Sequence, residues 1–183
     1  KIQTVMPMPS EKDSWNDLQI LFATKNGNVR RNQLNDFVNI RQNGKIAMKL
    51  HNDDELVSVL PCIATDNFFL ATRLGKAIRC DINDVRIFVG RDSSGVRGIK
   101  LKPSDYVVSM SIVNPDMKQY VLSVTENGFG KRTLVDDYRI TNRGGQGVAN
   151  IECSDRNGPV VSSYIVSSDD EIMLVTNVGK LIR

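Results

Sequence analysis

The chain repeats itself: one segment recurs about every 50 residues along its 183 residues, so the fold has to accommodate several copies of a single unit. The copies share a threonine, a glycine three residues later and an arginine seven residues later. The three copies that extend far enough also share an aspartate twelve residues after the threonine. The threonines are Thr24, Thr72, Thr125 and Thr176. Repeats of this length are typical of arrays in which neighbouring units bury one another's faces.

A second, glycine-led motif accompanies the first at residues 44–50, 95–101 and 147–153. Each copy is followed by a polar turn and then by a short apolar stretch, and the opening residues 2–7 match the last of these stretches. The pattern predicts three full units with partial units at both ends. Their approximate bounds are 1–9, 18–66, 67–118, 119–168 and 169–183.

The pieces of each unit are short, rich in Val, Ile, Leu and Phe, and bounded by Gly, Asn, Asp and Pro, which predicts β-strands. Asn26 with Gly27 and Asn127 with Gly128 predict two-residue hairpin loops of type I′, in which both residues adopt a positive φ. About four strands in each unit predict an all-β, propeller-like fold of repeated four-stranded blades, incomplete in this chain.

Composition argues against a catalytic or metal site. The single histidine, His51, has no Cys or His near it in sequence, and the three cysteines, Cys62, Cys80 and Cys153, form no C-x-x-C pair. We therefore predict no catalytic residues, no metal and no cofactor. No apolar run has the length of a membrane span and no secretory signal is evident, so a cytoplasmic location is expected.

The repeated arginine admits two interpretations. It could form a basic stripe that runs from unit to unit, or each arginine could pair with the aspartate five residues later and tie the hairpin to the next loop. Further basic residues near the hairpins and glycine turns favour the stripe. The 24 Lys and Arg residues exceed the 21 Asp and Glu residues only slightly, so the net charge is small. The basic stripe therefore depends on the segregation of basic from acidic residues, not on a large net charge.

A basic stripe predicts sequence-tolerant, salt-sensitive contact with the phosphates of duplex DNA. Aromatic residues make up only 6% of the chain and do not interleave with the basic ones, which disfavours stacking on single strands. The predicted DNA-contacting residues are Arg30, Arg31, Arg41, Lys45, Lys76, Arg79, Arg91, Arg97, Lys131, Arg132, Arg143, Lys180 and Arg183.

Several stretches, in order along the chain, resemble the C-terminal DNA-wrapping domain of DNA gyrase A. They are residues 44–50, 54–56, 95–101, 105–109 and 125–133. The resemblance implies a six-bladed β-pinwheel whose strands are exchanged between neighbouring blades. It also implies that the domain wraps DNA around a basic outer rim, so that the parent type II topoisomerase can introduce negative supercoils.

The same resemblance implies which activities and partners lie elsewhere. It places DNA cleavage in another domain of gyrase A, and ATP hydrolysis, with ATP and Mg, in gyrase B. The implied partners are double-stranded DNA and, through other domains, gyrase B and a second copy of gyrase A. The family's Gln/Arg/Gly-rich signature box is not present, and residues 141–147 match it only in part. Supercoiling competence therefore does not follow from this sequence.

Two alternatives stay open at this point. One is the related C-terminal domain of topoisomerase IV, although the regular blade motifs here favour gyrase. The other is a propeller-like protein-interaction scaffold, which would bind a protein partner and be indifferent to polyanions.

Overall fold

A computed structural model of the chain describes residues 2–3, 5–40, 42–51, 53–90 and 92–183. Over these residues the chain forms short antiparallel strands joined by turns, as predicted for an all-β protein. Four 3-10 helices span Lys12–Asn16, Leu34–Phe37, Ile82–Asp84 and Val135–Asp137. The strands are β1 (Gln19–Thr24), β2 (Asn28–Gln33), β3 (Leu56–Cys62), β4 (Asn67–Thr72), β5 (Lys76–Asp81), β6 (Val96–Arg97), β7 (Val107–Val113), β8 (Tyr120–Thr125), β9 (Gly130–Leu134), β10 (Val148–Ala149), β11 (Val160–Val166), β12 (Leu174–Val175) and β13 (Leu181–Ile182).

Neighbouring sheets exchange strands. Blade 1 has the strand order β3-β1-β2-β6 and blade 2 has the order β10-β5-β4-β7. The short strand β6 follows β4 and β5 in the chain yet completes blade 1, and β10 follows β8 and β9 yet completes blade 2. Blade 3, with the order β11-β8-β9, has three strands in the described chain, and β12 pairs with β13. This is the exchange that the resemblance implies.

The position of the exchanged strands follows from the order of each sheet. In blades 1 and 2 the exchanged strand lies at one edge and β3 or β7 lies at the other. Strand β7 packs against both β3 and β11, so these three strands connect the blades. The exchanged strands therefore lie on the outer side of the arc that the blades form.

The hairpin loops contain three residues, which corrects the two-residue type I′ prediction. Gly27 has a φ of +83° and donates from its N–H to the carbonyl of Thr24, whereas Asn26 does not have a positive φ. The hydroxyl of Thr24 accepts a hydrogen bond from the N–H of Asn28 at 3.2 Å. A three-residue loop with one glycine in the left-handed conformation allows both of these hydrogen bonds to form, so a second residue with a positive φ is not needed.

In blades 1 and 2, each completed by an exchanged strand, repeated glycines stand where the exchanged segment approaches the hairpin closely. A Cβ built on Gly75 would lie 2.1 Å from the carbonyl oxygen of Ile151, and one on Gly147 would lie 2.4 Å from that of Ala77. A side chain at either position would collide with main chain of the adjoining unit. Both glycine motifs are therefore needed for strand exchange.

The core lies between the blades. Strand β4 is buried on both faces: Phe68 and Leu70 pack in the cluster shared with blade 1, and Phe69 packs in the cluster shared with blade 3. Because successive side chains of a strand point to opposite faces, a middle blade needs a continuous apolar strand. A third cluster, which includes Phe22 and Leu34, covers the other face of blade 1.

Candidate nucleic-acid interface

Two of the four repeated arginines, Arg31 and Arg79, are buried between blades rather than exposed on a rim, which corrects their predicted position. Their exposed fractions are 5% and 6%. The guanidinium group of Arg79 donates from Nε to Oδ1 of Asn67 at 2.9 Å, within its own blade. Its Nη1 donates to the carbonyl of Val135 at 3.1 Å and to Oδ1 of Asp136 at 3.3 Å, in the next blade.

Arg31 has an equivalent set of partners. Its Nη1 donates to Oε1 of Gln19 in its own blade and to Oδ1 of Asn83 in the following unit, both at 3.2 Å. Desolvation by burial lowers the pKa of Arg31, and nearby Cys62 and Asp81 oppose that shift. Among the described residues no ion pair joins either arginine to the aspartate five residues later. The pairing with that aspartate is therefore not what holds these arginines; each of them connects its own blade to the next one instead.

Arg30 is also buried, which again differs from the predicted rim. Its guanidinium carbon lies 4.8 Å from the ring centroid of Phe88, a cation–π geometry. Its Nη1 donates to the carbonyl and hydroxyl oxygens of Ser93, and its Nε donates to Oδ1 of Asn32. Successive side chains of a strand point to opposite faces, so Arg30 and Arg31 lie on opposite faces of blade 1. Both side chains are buried there.

Other predicted residues gather along what we call the exchanged edge: strands β6 and β10 with residues 98–100 and 141–145. Arg97 on β6 is exposed, and Lys76 is half-buried opposite Ala149 of β10. The half-buried Arg143 donates from Nε to the carbonyl of Asp84 at 2.8 Å and from Nη1 to that of Arg97 at 3.2 Å. Its loop is fixed to the edge by the Lys100 N–H, which donates to the Gly145 carbonyl.

Some exposed basic residues near this edge are outside the predicted set. Lys49 and Lys100 hold the same position in the first two glycine-led motifs, which was the signal that could have identified them. The third motif has Glu152 there, so the positive charge is not uniform from blade to blade. Arg139, which precedes the Arg143 loop, is exposed as well.

Of the remaining predicted residues, Lys131 comes close to this cluster, because its Nζ donates to the carbonyl of Asn150, directly after β10, at 3.3 Å. The other described ones do not belong to the exchanged edge. Lys45 is half-buried and donates from Nζ to the carbonyl of Asp36. Lys131 and Arg132 are exposed on β9, Lys180 is exposed, and Arg183 contacts both carboxylate oxygens of Glu171. Arg41 and Arg91 lie outside the described residues.

Cations at the hairpin loops have carboxylate partners. Lys25 lies 3.3 Å from Glu55 and Arg73 lies 3.6 Å from Glu126. The two cations share the ring of Tyr106, at 5.0 Å and 5.6 Å from its centroid. In contrast, no ion pair involves Arg97, Lys100 or Arg143 in the described part of the chain. Unneutralised positive charge is thus available on the exchanged edge, where a polyanion could approach.

No site for covalent or metal chemistry is evident among the described residues. Burial raises the pKa of the Cys62 and Cys80 thiols to about 12, so both are protonated at neutral pH and poor nucleophiles. In the ranges that the structure describes, no group of three or more His, Cys, Asp or Glu side chains is placed to hold a metal ion. No helix there is long and apolar enough to span a membrane.

Comparison with known proteins agrees with this architecture. The family model of the DNA gyrase C-terminal domain, a beta-propeller, matches residues 19–63, 66–114 and 119–167. The DNA gyrase A protein of Rickettsia prowazekii is 40% identical over 228 residues, which cover all of this chain and 25% of that protein. The DNA gyrase A protein of Staphylococcus epidermidis is 38% identical over 182 residues, 99% of this chain and 20% of that protein. The chain thus spans about a quarter or less of the length of these curated relatives.

Two solved structures have the same fold. The structure of a DNA gyrase A C-terminal domain superposes with a TM-score of 0.81 at 31% identity, over 94% of this chain and 57% of that one. The crystal structure of the C-terminal domain of DNA topoisomerase IV superposes with a TM-score of 0.83 at 26% identity, over 91% of this chain and 51% of that one.

Proposed function

The chain belongs to the family of DNA gyrase C-terminal domains, and on that premise we propose that it binds double-stranded DNA without sequence preference and bends it along the exchanged edge. In the parent protein, part of an ATP-hydrolysing type II topoisomerase, this wrapping presents a DNA segment for passage so that negative supercoils are introduced. The observation that carries the proposal is the grouping of Arg97, Lys100 and Arg143 on the outer edge of the blades, without carboxylate partners among the described residues.

Charge on a curved outer edge suits a duplex better than a single strand. Bending DNA smoothly over a site of 20–30 base pairs costs on the order of 1–6 kcal/mol. Phosphate contacts on successive blades can offset this cost, because each one releases condensed counterions. The hydrogen bonds that the Arg143 guanidinium group donates to the carbonyls of Asp84 and Arg97 limit the side-chain entropy lost when phosphates bind.

The buried arginines have no part in the proposed DNA-contacting surface, because their donors are directed to protein acceptors. The chain contributes no reaction of its own in this proposal. DNA cleavage belongs to another domain of gyrase A, and ATP hydrolysis, with its Mg, to gyrase B. Gyrase B and a second copy of gyrase A are partners through those other domains.

The test measures binding of the chain to linear duplexes of increasing length at two salt concentrations. The unaltered chain should bind longer duplexes more tightly, and high salt should weaken that binding. The variant R97E/K100E should bind more weakly and should lower the salt slope by about 2, roughly one per lost phosphate contact. The matched control is K118E/R156E, which makes the same charge change at exposed positions that are outside the exchanged edge as defined above and outside the predicted DNA-contacting set.

Two results would count against the proposal. Equal weakening by the two double variants would mean that only net charge matters and that the exchanged edge is not the binding surface. Failure of the unaltered chain to bind any duplex at low salt would favour a protein-interaction scaffold, and a protein partner would then be sought.

A further inference from the structure

Each buried repeat arginine connects its own blade to the next one. We infer that Arg31 and Arg79 are positioning residues, which fix the angle between consecutive blades and so set the curvature of the path that bound DNA follows. We call the hydrogen bonds from each of these arginines to two blades the latch. The inference rests on the proposed function as far as DNA is concerned, but the latch itself is a property of the protein.

The main chain at each arginine already joins two units. The carbonyl of Arg31 accepts a hydrogen bond from the N–H of Phe88 at 2.8 Å, and that of Arg79 accepts one from the N–H of Thr141 at 2.9 Å. Isolated parallel bridges pair Arg31 with Ile87 and Arg79 with Ile140. The arginine thus lies where the segment from the next unit crosses the strand, at the contact between blades.

The side chains repeat the same arrangement at both junctions. The own-blade acceptors, Gln19 and Asn67, each stand five residues before the repeat threonine. The next-unit acceptors, Asn83 and Asp136, each stand eleven residues after the threonine of that next unit. A planar guanidinium group has donors directed to both sides at fixed angles, so it can hold two blades in one relative orientation.

A fixed angle between blades matters for a stiff ligand. Double-stranded DNA has a persistence length of about 150 base pairs, so it follows a curved surface only if that surface resists straightening. The affinity for a duplex that contacts only one blade does not depend on the angle between blades. The affinity for a duplex that crosses several blades does depend on it, because each further phosphate contact requires the DNA to stay bent. Loosening the latch should therefore reduce the increase in affinity with duplex length and leave the affinity for a duplex on a single blade unchanged.

The junction between blades 2 and 3 offers the cleaner test. At the junction of blades 1 and 2, buried Arg30 adds its own bonds to Ser93. At the next junction the position that corresponds to Arg30 is Ile78, which is apolar. Replacement of Arg79 there removes the guanidinium contacts and leaves the first junction unchanged.

The experiment compares the unaltered chain with R79Q, R79K and R156Q. R156Q is the matched control: it makes the same change of side chain at an exposed arginine that is outside the predicted DNA-contacting set and lies over the ring of Phe129 in its own blade at 4.8 Å. Binding is measured on a short and a long duplex. In parallel, the linking number trapped per bound protein is measured on a relaxed plasmid treated with a type I topoisomerase. Small-angle X-ray scattering of the free chain reports the distances between blades, below the melting temperature of every variant.

The latch predicts that R79Q keeps the affinity of the unaltered chain for the short duplex. Its preference for the long duplex should fall towards a ratio of one, and it should trap less linking number. R79K should behave like R79Q, because an ammonium group keeps the charge but cannot reach Asn67 and the next blade together. R156Q should keep the preference for the long duplex and the scattering curve of the unaltered chain.

Three results would overturn the inference. One is an equal loss of short- and long-duplex affinity in R79Q, as expected for a phosphate contact. Another is full rescue by R79K. The third is a scattering curve of R79Q identical to that of the unaltered chain, which would refute the latch even if DNA does not bind. Failure of the unaltered chain to bind DNA would contradict the proposed function alone, because scattering still tests the latch.

Discussion

Substitution of alanine for the repeat glycine should cost much more at Gly75 than at Gly128. Both glycines close a hairpin loop with a positive φ, +78° and +83°. They differ in surroundings: a Cβ on Gly75 would lie 2.1 Å from the carbonyl oxygen of Ile151, whereas one on Gly128 would meet nothing within 4 Å among the described residues. The pair therefore separates the cost of the backbone conformation from the cost of displacing the exchanged segment.

The two costs can be estimated separately. A left-handed conformation costs a non-glycine residue about 1–2 kcal/mol, so G128A should lower the free energy of unfolding by that amount. G75A has the same cost and must also displace the main chain of residues 150–151. That displacement breaks the hydrogen bonds that the N–H groups of Asn150 and Ile151 donate to the Gly75 carbonyl. Two such bonds contribute about 1–3 kcal/mol in total, so G75A should be less stable than G128A by about that much.

Urea unfolding of the chain, followed by circular dichroism, measures the difference through the shift of the midpoint at constant m-value. Amide hydrogen exchange at Asn150 and Ile151, whose N–H groups donate to the Gly75 carbonyl, should accelerate in G75A and stay unchanged in G128A, because only G75A detaches β10. Equal destabilisation by the two variants would refute the reasoning, since it would show that backbone conformation alone makes glycine necessary here.

Two further predictions concern buried polar groups. The Tyr138 hydroxyl donates to Oδ1 of Asn150 at 2.7 Å, so Y138F should destabilise the chain by about 1–3 kcal/mol in urea unfolding; an unchanged midpoint would contradict a contribution from this bond. Burial raises the pKa of Cys62 and Cys80 from 9.0 to about 12. The folded chain therefore holds thiol protons that the unfolded chain releases above pH 9, so their contribution to stability should decline between pH 9 and 12. Replacing Cys80 with alanine should make this decline shallower in unfolding midpoints measured across that range, and an unchanged slope would contradict the shift.

Repetition and strand composition were sufficient to predict an all-β array of blades, because period and residue type act locally. They did not specify which sheet each short strand joins. The glycine-led motif is spaced so that it could close its own unit or the preceding one, and the pairing of β6 with β2 and of β10 with β5 distinguishes these cases. Strand exchange thus came from the resemblance, and the structure agrees with it.

The position of the repeat arginines shows what spacing alone cannot give. The spacing predicts that the arginine seven residues after each threonine lies on an exposed rim. The alternation of side chains along the strand indicates the opposite. Val29 and Ala77, two residues before Arg31 and Arg79, are apolar and fully buried, and residues two apart share a face. That alternation favours a buried arginine. The identity of its partners in the adjacent unit could not be predicted, because they lie more than 50 residues later in the chain.

The exchanged strands also determine when a blade can be finished as the chain leaves the ribosome. Val29 pairs with Val96 and Ala77 pairs with Val148, contacts that join residues about 70 positions apart. A blade must therefore wait for most of the following unit to be synthesised before its outermost strand can form. Until then its β2 or β5 presents an unpaired edge, open to pairing with another nascent chain. Closing such distant contacts is slow, so assembly should proceed blade by blade, one unit behind translation.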